Sequence, residues 1–232
     1  MIKNRVFALV FRIAGFFFAL AGIFSSIGVF SRGLNLKMLM YYTIQSNIFV
    51  IVLFGILIVK TIIGLKKDGK SGNADYAPRL EFVCMVDIFI TFLVFWTLLA
   101  PQLSKMAEGY SMWSFTNLAT HGITPILMLV DYYLFTSFGR LKYRDAYCIA
   151  IFPILYFVMS TIAGFAGFTY AFGESGETTR FPYFFIDYDQ NGWFVLLYVF
   201  AIVITILLLS HALYFLDKKL HQRSLCKEQK IS

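Results

Sequence analysis

GYSMWSFTNLATHGITPILMLV, residues 109–130, carries no Asp, Glu, Lys or Arg over a length sufficient to cross a bilayer. Within it stand Thr116, Asn117, Thr120, His121 and Thr124. A polar group in hydrocarbon must be desolvated and then satisfied. An ionisable side chain inside such a helix therefore points to a functional site, and its partner has to be found. Taking this stretch as a membrane helix decides the fold.

The rest of the chain agrees. With 59% hydrophobic residues, 19% aromatic, 14% charged and a mean hydropathy of +0.73, the 232 residues are too apolar for a soluble domain. They read as an all-α polytopic membrane protein, one domain over residues 1–232, with no segment left for a soluble module. Six stretches are long enough to span: 6–30, 38–65, 82–102, 109–137, 146–170 and 192–216.

The formal charge of +7 is not gathered on one face, which argues against a nucleic-acid partner. It alternates instead. Lys3 and Arg5 precede the first stretch, Lys66, Lys67, Lys70 and Arg79 follow the second, and Arg140, Lys142 and Arg144 follow the fourth. Lys218, Lys219, Arg223, Lys227 and Lys230 follow the sixth, and the other connections hold only Arg32, Lys37, Lys105 and Arg180. By the positive-inside rule both termini are cytoplasmic. Lys3, Arg5 and the apolar run after them imitate a signal peptide, but no small-x-small cleavage site follows, so the first helix is expected to be retained. Cys84, Cys148 and Cys226 all fall near or beyond the cytoplasmic ends of helices, where no disulfide is expected; Cys84 and Cys148 are read as packed thiols in preference to nucleophiles.

Topology gives each polar residue a depth. Counted from Ser114, His121 lies roughly 10 Å below the outer end of the fourth helix; counted from Met38, Thr43 lies roughly 7 Å down the second. The two are expected in one layer. Thr43, Ser46 and Asn47 share a face at i, i+3 and i+4, and Asn117, His121 and Thr124 form a similar stripe continued by Met128 and Asp131. Two polar stripes at equal depth should face each other or a shared cavity.

A hydroxyl beside an imidazole can do chemistry. A neutral His that accepts the Thr proton makes Oγ1 able to attack an ester or amide carbonyl. Asn47 and Asn117 are candidates to stabilise the oxyanion, and Ser46 and Thr124 complete the polar surface around it. Pro125 removes the amide that would bond the His121 carbonyl and is expected to bend the helix. Asp87 and Asp131 are expected to pair with Arg12, Arg140 or another helix, His211 to sit at the interface, and Gly15, Gly22, Gly164 and Gly167 to make helix contacts. The loop 171–191 holds Phe181, Tyr183, Phe184 and Phe185, read either as an aromatic belt or as a lid over a lipid entrance. Gly173-Glu174-Ser175-Gly176 lacks nucleophile-elbow spacing, and three His with scattered acids make no metal site, so neither metal nor cofactor is expected.

Thr43, the run Asn117-Leu118-Ala119-Thr120-His121-Gly122-Ile123-Thr124-Pro125 leading to Asp131, and the later Phe181-Pro182-Tyr183 with Asp187 resemble the androgen-induced, six-helix membrane hydrolases. That resemblance implies an intramembrane threonine hydrolase that cleaves fatty acid esters of hydroxy fatty acids, with Thr43 as nucleophile and His121 as base. It implies a bacterial relative in the cell membrane, acting on a membrane lipid or fatty acyl ester. Asp187 is the candidate to approach His121 from the outer loop. A second helix reading Thr-Ile-Gln-Ser-Asn is more polar than in the animal enzymes, which leaves the substrate open. The rival is a small proton-coupled transporter using Asp87 or Asp131, or a lipid-binding protein without catalysis. No inverted repeat supports transport.

Overall fold

A computed structural model describes residues 1–31, 33–106, 110–172 and 177–229. Arg32, Gly109, residues 173–176 and Lys230, with the side chains of Lys105 and Lys227, lie outside the described residues. Among the described residues, six helices are long and apolar enough to cross a membrane: α1 (Arg5–Ser26), α2 (Tyr42–Asp68), α3 (Pro78–Ser104), α4 (Phe115–Phe135), α5 (Asp145–Phe165) and α6, which runs over Phe194–Gln229. The chain is a multi-pass, all-α membrane protein. Its large exposed side chains, among them Leu155, Ile162, Phe200 and Leu208, are those of a surface solvated by lipid and not by water.

Local chemistry sets the helix ends. Asn4 caps α1 by accepting from the Phe7 amide at 3.0 Å, and Ser114 caps α4 through the Asn117 amide at 3.3 Å. Before α2 the chain makes a 3₁₀ turn, Leu36–Met40, opened by Asn35, and is extended at Tyr41. The helix expected from residue 38 therefore begins at Tyr42. Pro78 starts α3 one turn earlier than the apolar run predicts and draws Glu81 into the bundle. Residues 217–229 contain neither Gly nor Pro, so α6 continues well past 216.

The interior prolines disturb their helices in a common way. A π turn over Phe95–Leu99 precedes Ala100-Pro101, and a second over Ala119–Ile123 precedes Thr124-Pro125. Each is closed by the amide just before the proline, bonding five residues back to Phe95 or Ala119. In α5 the helix is interrupted between Cys148 and Ile151, just ahead of Pro153. A two-stranded antiparallel ribbon, β1 (Tyr170–Phe172) with β2 (Glu177–Thr179), links α5 to an aromatic strap ahead of α6.

Helices α1 to α4 pack into the main core, with Phe54, Leu57, Phe82, Met85 and Tyr132 fully buried or nearly so. Small residues allow the close crossings. A Cβ on Gly15 would meet the Phe54 ring at 2.6 Å, and one on Gly22 would meet Thr120 at 2.9 Å. The other expected glycine pair divides. Gly164 lies under Phe181 of the strap, whereas Gly167 has a left-handed φ of +90° with open space around it and serves to turn the chain after α5.

At the end of the bundle that holds both termini, Arg12 forms a two-pronged pair with Asp131, at 2.9 and 3.2 Å. The same guanidinium donates to Thr61 Oγ1 and to the Ala74 carbonyl, and Glu81 lies 4.0 Å away, held by the Ala77 amide and the Thr136 hydroxyl. Asp131 thus has the partner expected of it. Tyr132 and the Gly139 amide both bond Asp217, tying α4 to α6. Cys84 is packed in the core, while Cys148 and Cys226 face outward as free thiols.

Candidate functional site

Helices α2 and α3 on one side and α5 and α6 on the other leave a narrow cleft with a cavity volume of about 80 Å³. Its walls are almost wholly apolar: Ile90, Val94 and Leu99 from α3, Val199, Ile202 and Ile206 from α6. The strap contributes Tyr183, Phe185 and Ile186, so the 171–191 connection is part of the cleft wall and more than a belt at the membrane surface. It is fixed there by packing of Phe165 on Phe181, by the Tyr183–Phe185 stack at 5.2 Å and by the Arg180–Asp189 ion pair.

Polar groups in the wall are few, and most have committed their hydrogens. The Tyr42 hydroxyl donates to Asp87 Oδ1 at 2.5 Å, Tyr156 to the Met40 carbonyl at 3.2 Å and Thr91 to the Ile88 carbonyl at 2.5 Å. Two hydroxyls remain, those of Thr43 and Tyr183, and they face each other. The phenol oxygen of Tyr183 also lies against the backbone of Tyr42 and Thr43 in the first turn of α2, where amides have no carbonyl of their own helix to bond.

Burial pushes the Tyr183 phenol up from 10.0 to about 12, against the pull of its contacts with Thr43 and Tyr156. A raised value means the folded chain holds this proton more tightly than the unfolded chain. Tyr183 is then neutral to stability below about pH 10 and weakens the fold as pH rises from about 10 to 12. The Tyr183→Phe variant is expected to lose less stability than wild type across that window. Thermal unfolding in detergent at about pH 9 and about pH 11.5 measures the difference.

Thr43 and His121 occupy different surroundings. Asn47 fixes the register between α2 and α4, donating one Nδ2 hydrogen to the Thr43 carbonyl at 2.8 Å and the other to the Thr120 carbonyl at 3.1 Å. One amide nitrogen thus reaches the carbonyls of both Thr43 and Thr120, so Thr43 and the Thr120–His121 pair lie at nearly the same level in the bundle. Because residues 36–41 unwind, Thr43 lies in the first turn of its helix and not the second. His121 stacks on Phe95, ring centroids 3.7 Å apart and 7° from parallel. Its carbonyl, freed by Pro125, accepts from the Trp96 indole at 2.9 Å. Its Nδ1 is buried with no hydrogen-bond partner among the described residues.

The other expected site residues divide between structural and unengaged roles. Asn117 spends both amide hydrogens on the Tyr110 hydroxyl at 2.9 Å and the Ser111 carbonyl at 3.1 Å. Asp187 caps the short helix Tyr188–Asn191 by accepting from the Asp189 and Gln190 amides. The Thr124 hydroxyl is buried with no hydrogen-bond partner among the described residues, and the Ser46 hydroxyl is buried against the Tyr42–Asp87 pair. Asp87 is thus held by a tyrosine of the neighbouring helix and not by Arg12 or Arg140. No group of His, Cys, Asp or Glu among the described residues has the arrangement of a metal site.

The sequence reading passes over Tyr183 as part of this site, because an aromatic residue in a loop between membrane helices ordinarily marks an interface. Compared with known proteins, the chain matches no family model, no curated protein and no solved structure. Fold and cleft define a class, a six-helix membrane protein with an apolar cleft and a threonine in its wall.

Proposed function

We propose that the protein is an intramembrane lipid ester hydrolase of the kind its sequence resembles, with both termini in the cytoplasm of a bacterial cell. The observation that carries this reading is the Thr43 hydroxyl in the wall of an apolar cleft, at the end of the bundle away from the termini. An acyl chain enters between α3 and α6 and leaves its ester carbonyl beside Thr43. Oγ1 attacks that carbonyl, the ester oxygen departs, and water releases the acyl group from Thr43. His121 takes the Thr43 proton at its unpartnered Nδ1 and returns it to the leaving alkoxide. Catalytic hydrogen bonds often close only once substrate is bound, and the two π turns around His121 and Phe95 are the places where the helices can adjust.

One observation favours a second reading. No hydrogen bond joins Thr43 to His121 among the described residues, as would suit a protein that binds an acyl chain without cleaving it. Proton-coupled transport gains nothing, because Asp131 is locked by Arg12 and Asp87 by Tyr42. Treating purified protein in detergent with an alkyl fluorophosphonate and mapping the adduct separates the readings. Hydrolysis requires labelling at Thr43 that is lost in His121→Ala. A folded protein that takes up the alkyl chain without labelling supports binding alone.

A further inference from the structure

Attack on an ester places negative charge on the carbonyl oxygen, and in a dry site that charge must be met by a hydrogen-bond donor not already spent. Asn47 and Asn117, the donors expected from sequence, each have both amide hydrogens engaged. In the cleft wall, Tyr42, Tyr156 and Thr91 have given their hydroxyl hydrogens to Asp87, Met40 and Ile88. Apart from the nucleophile itself, the one lining hydroxyl among the described residues not given to a carbonyl or carboxylate is that of Tyr183, whose partners are the hydroxyls of Thr43 and Tyr156 and the first-turn backbone of α2.

Resting on the hydrolase reading, we propose that Tyr183 is the oxyanion donor, a catalytic residue supplied by the strap between α5 and α6 to a nucleophile on α2. As the bond from Thr43 Oγ1 to the acyl carbon forms, the carbonyl π electrons move onto oxygen, which accepts a hydrogen bond from the Tyr183 phenol. The Thr43 proton goes to His121. On collapse the carbonyl re-forms, the bond to the ester oxygen breaks and His121 protonates the departing alkoxide; Tyr183 keeps its proton throughout. The position of the phenol is fixed from two sides. Its oxygen rests against the first-turn backbone of α2, and its ring packs between those of Tyr41, Tyr156 and Phe185. A phenol held protonated by burial stays a donor across the working range of pH.

The test is Tyr183→Phe, which keeps the ring and removes the hydroxyl. With a p-nitrophenyl ester of a medium-chain fatty acid, kcat is expected to fall about 10²–10³-fold with KM nearly unchanged. An alkyl trifluoromethyl ketone, which forms a tetrahedral adduct, should lose affinity by a similar factor, while the alcohol of matching chain length binds both proteins alike. An unchanged kcat, or equal weakening of ketone and alcohol, overturns the proposal and leaves the hydrolase reading standing. Wild-type protein that shows no Thr43-dependent turnover and binds the ketone no better than the alcohol overturns both.

Discussion

Thr43→Ala is expected to lower kcat for a fatty acyl ester by on the order of 10⁴–10⁶ while the acyl chain still binds, because the variant removes the attacking oxygen and leaves the apolar walls of the cleft intact. Thr43→Ser keeps that oxygen and should retain measurable turnover. His121→Ala should fall nearly as far. Nucleophile and base act as a unit, so the double variant should be little worse than either single one. Steady-state kinetics on protein shown to be folded decides the matter, and full activity in Thr43→Ala would sink the hydrolase reading. The detail of the His121 result is informative in its own right. The imidazole is stacked on Phe95 and its backbone is held by Trp96, so the side chain is positioned by α3 even though it belongs to α4. Trp96→Phe would leave the His121 carbonyl unbonded and is the conservative way to disturb that position.

The largest effect on stability is expected at Arg12. Removing one partner of a buried ion pair costs about 3–5 kcal/mol, because the charge left behind has neither water nor a counter-ion. Arg12→Met strands Asp131, with Glu81 close by, in a fully buried setting and also frees Thr61 and the Ala74 carbonyl. Equilibrium denaturation in detergent should show the loss. The companion variant, Arg12→Met with Asp131→Leu, should recover most of it, since apolar groups of similar volume can replace a buried pair at little cost. A single variant as stable as wild type would mean that the cluster carries no uncompensated charge. The cluster lies toward the termini and the cleft toward the strap, so this loss of stability should come without a change in KM for protein that remains folded.

How the chain spans the membrane was legible from one dimension of information. Six apolar runs of sufficient length, separated by short polar connections, leave a backbone in lipid no choice but helix. Proline positions were legible as well. The missing amide of Pro125 frees the carbonyl of His121 wherever the helix is placed, and Pro101 and Pro153 disturb α3 and α5 by the same chemistry. Asp131 called for a cation because a carboxylate that deep must be paired. The sequence also put Thr43 and His121 on polar faces, since helical periodicity alone sorts residues by face.

Tertiary structure decided what those faces meet. Counting from residue 38 misses the 3₁₀ turn at Leu36–Met40, which puts Thr43 in the first turn of α2 and not the second. Periodicity could say that Asn47 and Asn117 point inward, but not that each would spend its two hydrogens on carbonyls and a phenol nearby. The cleft itself arises from the gap between α2–α3 and α5–α6, a property of packing that no single helix encodes. Tyr183 reaches Thr43 from 140 residues away along the chain, carried by a strap whose aromatic residues by themselves suggest a belt or a lid but not a contact with Thr43. Local sequence determines which groups must be buried and which must find a partner. Which partner each one finds depends on contacts between distant segments, and those exist only once the helices have packed.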